Sequence, residues 1–378
     1  MRLFALTLTV ALSACSTTTP SKPETAAAKP AAAKPAALNK NPYPSTYKPY
    51  LGVPTLVRNV TIYDGEGGRI ENGSVLFAAG KIVGVSDGRA DLALPANTVT
   101  IDGTGKWVTP GIIDVHSHLG DYPSPAVEAN SDGNEATGPV RSEVWAEHSV
   151  WPQDPGFSRA LANGGITTLE ILPGSANLFG GRSVVLKNVY ARTVQGMKFP
   201  GAPYGLKMAC GENPKRVYGS KGQMPATRMG NMAVNRQTWI NAQDYKRKLD
   251  KGEYVTRNLQ LETLVGVLNG EILVQNHCYR ADEMAQVIDM SKEFGYHISA
   301  FHHAVESYKI ADLLKANGIC SAMWADWWGF KMESYDAINE NIPMVDAAGA
   351  CAIVHSDDPN GIQRLYQEAA KEIGRAHV

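Results

Sequence analysis

Val108-Thr109-Pro110-Gly111-Ile112-Ile113-Asp114-Val115-His116-Ser117-His118 joins a Pro-Gly turn, a short apolar strand and two histidines one residue apart. Side chains alternate along a β-strand, so His116 and His118 project to the same side. Two imidazoles on one side of a strand end can share a metal ion, because neutral imidazole is a ready zinc ligand. The stretch is thus the seed of a metal site, to be supported or refuted by what lies at other strand ends.

The chain has 378 residues, enough for a large barrel or two to three domains. Its 36 basic and 37 acidic residues leave a formal net charge of −1, a balance that argues against nucleic acid as the main partner. No apolar run reaches the roughly 18 residues that suggest a membrane-spanning helix. Arg2 precedes an apolar stretch from Leu3 to Leu12, and Leu12-Ser13-Ala14-Cys15 resembles a lipobox. Residues 1–15 are therefore expected to be a lipoprotein signal peptide with Cys15 lipidated, giving an exported protein anchored on the periplasmic side of a bacterial membrane. Cys210, Cys278, Cys320 and Cys351 lie in apolar, strand-like contexts; they could pair in an exported protein, but buried free thiols are the expectation.

Residues 16–50 are rich in Pro, Ala and Lys without apolar periodicity and read as a disordered tether. Residues 51–108 change to short alternating strands separated by glycine turns, a small antiparallel sheet or half-sandwich. From Thr109 to residue 371, apolar strands alternate with helical stretches. The expected strands are Ile112–His118, Ile166–Leu172, Val184–Val189, Gly205–Cys210, Ile272–Cys278, Ile298–His303, Ile319–Trp324 and Ala352–Ser356. Helices are expected over Ala281–Phe294 and Val305–Ala316, with stops at Gly295 and Gly318. This pattern is α/β and fits a (β/α)8 barrel, whose active site lies at the C-terminal strand ends. Residues 211–270 form an insertion, partly helical and lid-like. His277, His302, His303, His355 and Asp357 fall at the fifth, sixth and eighth strand ends, converging on the mouth that holds His116 and His118.

On "VTPGIIDVHSHLG", "ILVQNHCYRADEM", "FHHAVESYKIADLLKANGI" and "AIVHSDDPNGIQRL", residues 54 to 371 resemble the amidohydrolase superfamily, especially its imidazolonepropionase- and dipeptidase-like branch. The resemblance implies a distorted (β/α)8 TIM barrel beside a small composite β-sandwich. It implies His116, His118, His277, His303 and Asp357 as metal ligands, with His302 competing with His303 for the sixth-strand role; the run after His303 matches the family better. Lys207 and Glu212 are both candidates for the bridge between two ions, and if neither bridges the site is mononuclear. The implied cofactor is Zn2+, one or two ions, with other divalent metals open. The implied chemistry is hydrolysis of an amide, cyclic amide or dipeptide C–N bond, Asp357 orienting water and moving its proton. His302, or His303 if only one ion binds, would stabilise the oxyanion. Arg280 is a candidate for binding a substrate carboxylate, with Tyr279 and Trp324 also placed at the substrate; Trp327 and Trp328 line the pocket or fill the loop. A mononuclear aminohydrolase and a non-catalytic lipoprotein are the competing readings. The partners expected are a small-molecule substrate and, through the lipid, a membrane; a homo-oligomer is left open.

The family pattern continues past the eighth strand with further helices and a strand that completes the sandwich. Here Glu372-Ile373-Gly374-Arg375-Ala376-His377-Val378 resembles a translated sequencing adapter, so residues 372–378 are expected to be non-native and the sandwich incomplete, with an exposed edge and apolar face.

Overall fold

The computed structural model describes residues 40–89 and 91–376. The expected leader, Cys15, most of the tether and the last two residues lie outside the described residues.

A five-stranded sheet comes first: β1 (Thr55–Tyr63), β2 (Arg69–Ala78), β3 (Lys81–Ser86), β4 (Val99–Asp102) and β5 (Trp107–Val108). β1–β2 and β2–β3 pair antiparallel, whereas β4 and β5 run parallel to β1, so the sheet is mixed rather than antiparallel. Its core is Val60, Ile62 and Val75.

The barrel strands are β6 (Ile112–Ser117), β7 (Ile166–Ile171), β8 (Phe179–Arg182), β9 (Val184–Lys187), β10 (Gly205–Ala209), β11 (Leu273–Cys278), β12 (Ile298–His303), β13 (Cys320–Met323) and β14 (Ala352–Val354). They form two hydrogen-bonded arcs, β6-β7-β9 and β14-β13-β12-β11-β10-β8. The expected third strand, Val184–Val189, is β9, and a strand not expected, β8, precedes it across Ser183; both run against their neighbours, β9 antiparallel to β7 and β8 antiparallel to β10. The glycines of β8 (Gly180, Gly181) hide it from a hydropathy reading. The other seam joins the last strand to the first: Asp357 N–H donates to His116 O at 3.1 Å, and Ser356 N–H to Asp114 Oδ1 at 3.3 Å. A barrel with these reversed strands and two irregular seams is distorted in the sense expected.

Nine α-helices lie among the described residues: α1 (Pro155–Gly164), α2 (Val194–Met197), α3 (Glu212–Gly219), α4 (Arg228–Asp250), α5 (Leu259–Leu268), α6 (Ala281–Phe294), α7 (Ala311–Ala316), α8 (Asn341–Ala347) and α9 (Leu365–Arg375). α6 has the expected bounds, ending on Gly295 at φ 73°, a left-handed cap that glycine adopts without Cβ strain. α3, α4 and α5 account for the insertion, and Trp239, Leu264 and Met284 pack from α4, α5 and α6 into the main core with Phe301. None of the helices is long and apolar enough to cross a membrane. α9 runs through to Arg375, so the first part of the expected non-native tail is helical. Residues 41–46, at the end of the expected tether, are bonded to the barrel: Lys198 Nζ donates to Tyr43 O at 2.7 Å, and Thr46 N–H to Gln195 O at 2.9 Å.

The strand cysteines are not free thiols. Cys210 pairs with Cys278 and Cys320 with Cys351, with Cα atoms 5.2 and 4.5 Å apart. Each joins residues at neighbouring positions around the barrel, a proximity that sequence separations of 68 and 31 conceal.

Candidate metal centre

Along β6 the alternation turns Asp114 and His116 inward, and His118 follows just past its end. His116 Nε2 lies 3.4 Å from His118 Nε2, and both nitrogens lie 3.3 Å from Asp357 Oδ1. Lys207, on the wholly buried β10, brings Nζ to 3.3 Å from His116 Nε2. The rings of His303 and His355 are centred 4.7 and 5.0 Å from that of His116, and His277 lies 4.7 Å from His303. His116, His118, Lys207, His277, His303 and Asp357 line a cavity of about 290 Å3 whose walls also include Tyr279, Trp324, Trp327, Phe330 and Lys331. His355 is buried behind them, with both ring nitrogens unpartnered. Trp324 stacks on His303 at 4.2 Å and donates from Nε1 to Ser356 O at 3.1 Å. Trp328 packs behind it, against the Tyr279–Val305–Trp324 cluster.

Backbone conformation explains how His303 reaches the mouth. Neighbours on a strand face opposite ways, so if His302 points into the barrel, His303 would point toward the helices. Instead His303 has φ 70° and Ala304 φ 39°, turning the chain over the rim; Asp357 has φ 81°. Non-glycine residues pay strain in this region, and its concentration here marks a site where side-chain direction matters more than backbone comfort.

The electrostatics suit a metal. Burial holds the imidazoles of His116, His277, His302 and His303 well below their usual protonation range, and His355 down to about 3, so these rings are neutral donors. Burial raises the Asp357 carboxyl, but the hydrogen bond and charge of His118, then His355 and Lys207, outweigh it and keep it ionised. Burial lowers the Lys207 amine to about 8, against the charges of Asp357 and Glu170. His118 Nδ1 lies 2.7 Å from Leu172 O, which can only accept. Nδ1 of His118 therefore carries a proton, and Nε2 is the nitrogen turned to Asp357 Oδ1, at 3.3 Å. Nδ1 of His277 and of His303 are buried without partners. His116, His118 and Asp357 form one triad of mutually close donors, and His116, His303 and His355 another. Neutral imidazoles, a carboxylate and orphaned nitrogens converging on one point fit a divalent cation.

Four sequence expectations need correction or resolution. His302 does not line the cavity: it faces the barrel interior, with Nδ1 2.9 Å from His116 Nδ1 and Nε2 2.7 Å from Gln275 Oε1, so it is not placed to touch an oxyanion. Arg280 also points away, held by Asp282 at 2.9 Å, and lines a neighbouring cavity. Glu212, at the start of α3, faces Lys331 at 3.4 Å and that same neighbouring cavity, leaving Lys207 as the bridge candidate in contact with the cluster. The ligand set passed over His355, although His355-x-Asp357 repeats the spacing of His116-x-His118. Besides Lys207, Lys331 also lines the cavity, 4.2 Å above the Tyr279 ring and 2.9 Å from Asn213 Oδ1. It lies in a loop with no strand periodicity to flag it.

No protein-family model matches the chain. Amidohydrolase tasK of Hapsidospora irregularis is 31% identical over 361 residues, 85% of this chain, which spans only 37% of that relative's length. An imidazolonepropionase of Stenotrophomonas maltophilia is 36% identical over 145 residues, 32% of this chain and 34% of that one. Among solved structures, an amidohydrolase from Thermotoga maritima superposes with a TM-score of 0.78 at 33% identity, covering 85% of this chain and 83% of that one. With likeness of that extent in both sequence and structure, the chain belongs to the amidohydrolase superfamily.

Proposed function

We propose that the protein is a metal-dependent hydrolase of a C–N bond in a small amide, cyclic amide or dipeptide. The observation that carries this is the approach of His116 Nε2, His118 Nε2 and Asp357 Oδ1 to within 3.4 Å of one another at the floor of an open cavity. A bound divalent ion, for which zinc suits the imidazole-rich donor set, supplies Lewis acidity and makes water more acidic. His116, His118, His277, His303 and Asp357 are the residues to hold it, His355 lying behind His303, and Lys207 joins them as a bridge if it is carboxylated. Asp357 is ionised and faces the cavity, so it accepts the proton of the attacking water and delivers it to the leaving nitrogen. Tyr279, Trp324, Trp327 and Phe330 present an aromatic wall to the substrate, and Lys331 supplies the positive charge first sought in Arg280.

An aminohydrolase with a single ion is the second reading; a free amine on Lys207, 3.3 Å from His116 Nε2, favours it. Elemental analysis together with the mass of the Lys207 peptide separates the two. The deciding experiment is Asp357→Asn. Turnover of amide substrates should fall by about 100-fold or more, the span of a lost general base, while zinc remains bound. Undiminished turnover removes Asp357 from the mechanism, and a wild-type protein that retains no divalent metal overturns the reading.

Export with lipid attachment at Cys15 belongs to the same proposal. Two disulfides support it, since such bonds persist in oxidising compartments. Cys15→Ser should release the protein from the membrane fraction; unchanged fractionation rejects the anchor.

A further inference from the structure

A line of polar groups runs through the barrel interior beneath the metal centre and ends on His116. Gly205 N–H donates to Ser183 Oγ at 2.9 Å, and Ser183 Oγ donates to Glu170 Oε1 at 2.5 Å. Gln275 Nε2 donates to Glu170 Oε2 at 3.3 Å. Gln275 Oε1 lies 2.7 Å from His302 Nε2, and His302 Nδ1 lies 2.9 Å from His116 Nδ1. Gly205 permits the approach: a Cβ there would overlap Ser183 Oγ and sit 2.7 Å from Glu170 Oε1.

Every proton on this line is assigned by its first member. At pH 8, above the value of about 7 to which burial raises it, the Glu170 carboxylate is ionised and only accepts, so Gln275 turns its amide NH2 toward Glu170 and its carbonyl oxygen toward His302. That oxygen also only accepts, so His302 carries its proton on Nε2 and leaves Nδ1 bare. His116 must then donate from Nδ1, which leaves its Nε2 bare. That nitrogen faces Asp357 Oδ1 and Lys207 Nζ, both at 3.3 Å. His118 has its Nδ1 proton fixed in one step, by the carbonyl of Leu172 at 2.7 Å.

We infer that Glu170, acting through Gln275 and His302, sets the tautomer of His116 so that Nε2 offers its lone pair to the metal centre. The three are positioning residues and touch neither metal nor substrate. The consequence for metal binding rests on the proposed function; the tautomer is a property of the metal-free protein and stands apart from it.

Glu170→Gln reverses the line. Ser183 still donates to the side-chain carbonyl of the substituted residue, so the new NH2 faces Gln275, which must rotate to accept. His302 then receives an N–H at Nε2, carries its own proton on Nδ1, and leaves His116 protonated on Nε2. Histidine 15N chemical shifts of the metal-free protein at pH 8 report this directly, with the His116 signals identified by their loss in His116→Gln. The wild type should show Nε2 of His116 bare, and Glu170→Gln should exchange its two nitrogen signals. Zinc affinity, by competition with a chromogenic chelator, should fall about 10- to 100-fold, the usual effect of removing the partner that orients a ligand. The double variant Glu170→Gln/Gln275→Glu places the acceptor one position along and should restore both tautomer and affinity. A wild-type His116 protonated on Nε2 overturns the inference even if no variant folds. So does an unchanged tautomer in Glu170→Gln, or a double variant no better than the single one. Wild-type protein with the assigned tautomer and no affinity for zinc would instead sink the metal-centre reading alone.

Discussion

Asp357 shows most plainly how single residues here trade stability for position. At φ 81° its Cβ is strained, and its carboxylate is held among neutral imidazoles. Asp357→Gly should therefore be more stable than Asp357→Ala by about 1 kcal/mol, the cost of a left-handed non-glycine residue, as read by thermal denaturation of the metal-free proteins. Equal stabilities would show that the strain is relieved elsewhere. The buried histidines set a pH dependence of definite sign. In the folded state His116, His277, His302 and His303 protonate well below their usual value and His355 near 3, so the unfolded chain binds more protons below about pH 6.5. Stability is fully present above that pH and is lost as pH falls, by up to about 1.4 kcal/mol per pH unit for each ring. Asp114, Glu170 and Glu283, each raised by burial to about 7, and Asp121 and Glu372, also raised chiefly by burial, act in the opposite sense, losing their contribution as pH rises toward 7. Removing one ring isolates its share: His355→Gln should lose less melting temperature than the wild type between pH 7 and pH 5 in the metal-free protein, and an equal loss would contradict the burial of this ring as a neutral species.

At the scale of elements, the strand ends of β11 and β12 decide the site. Phe301 packs outward against the helices while His302 points inward, and the turn beginning at φ 70° brings His303 over the rim. The Cys210–Cys278 bridge clamps the same region: Cys278 follows His277 directly, and its carbonyl accepts from Ala304 N–H at 3.0 Å. Replacing both cysteines with serine should destabilise the protein by about 2–4 kcal/mol and speed loss of zinc during dialysis, because His277 and His303 lose a shared support. Stability lost without faster zinc loss would confine the bridge to a purely structural role. β8 and β9 teach a different lesson. Ser183, where they meet, gives one group to each arc of the barrel, its N–H to Gly205 O at 2.9 Å and its hydroxyl to Glu170 on β7. Strand direction depends on which neighbour's hydrogen bonds are satisfied, and no residue pattern within Phe179–Lys187 encodes that.

For the whole molecule, the small sheet is the exposed flank. Ile82, Val99, Ile101 and Trp107 are each about half exposed or more, Trp107 at 72%, and together they leave the sheet apolar toward solvent. Such a surface favours self-association. Ile101→Lys combined with Val99→Lys should lower the aggregated fraction in static light scattering without altering zinc content; unchanged scattering would place the sticky surface elsewhere. The barrel is buried on both faces by comparison, and its ligands all lie far from this flank in sequence except His116 and His118, which follow β5 almost directly.

Much of this was legible in the chain because strands and helices of an α/β barrel carry strong local patterns. The bounds of α6 and β12, the strand end bearing His116 and His118, and the aspartate of the last strand follow from hydrophobic period, glycine stops and histidine placement alone. What the sequence could not decide depended on contacts between residues distant along the chain. The disulfide pairing, the reversed third strand, the inward turn of His302 and the outward turn of Arg280 each depend on which group lies opposite in space. So does the choice of Lys207 over Glu212 at the cluster. The line from Glu170 to His116 is the extreme case: it joins β7, β11, β12 and β6, and only the closure of the barrel brings an acceptor in one strand to bear on a ligand in another.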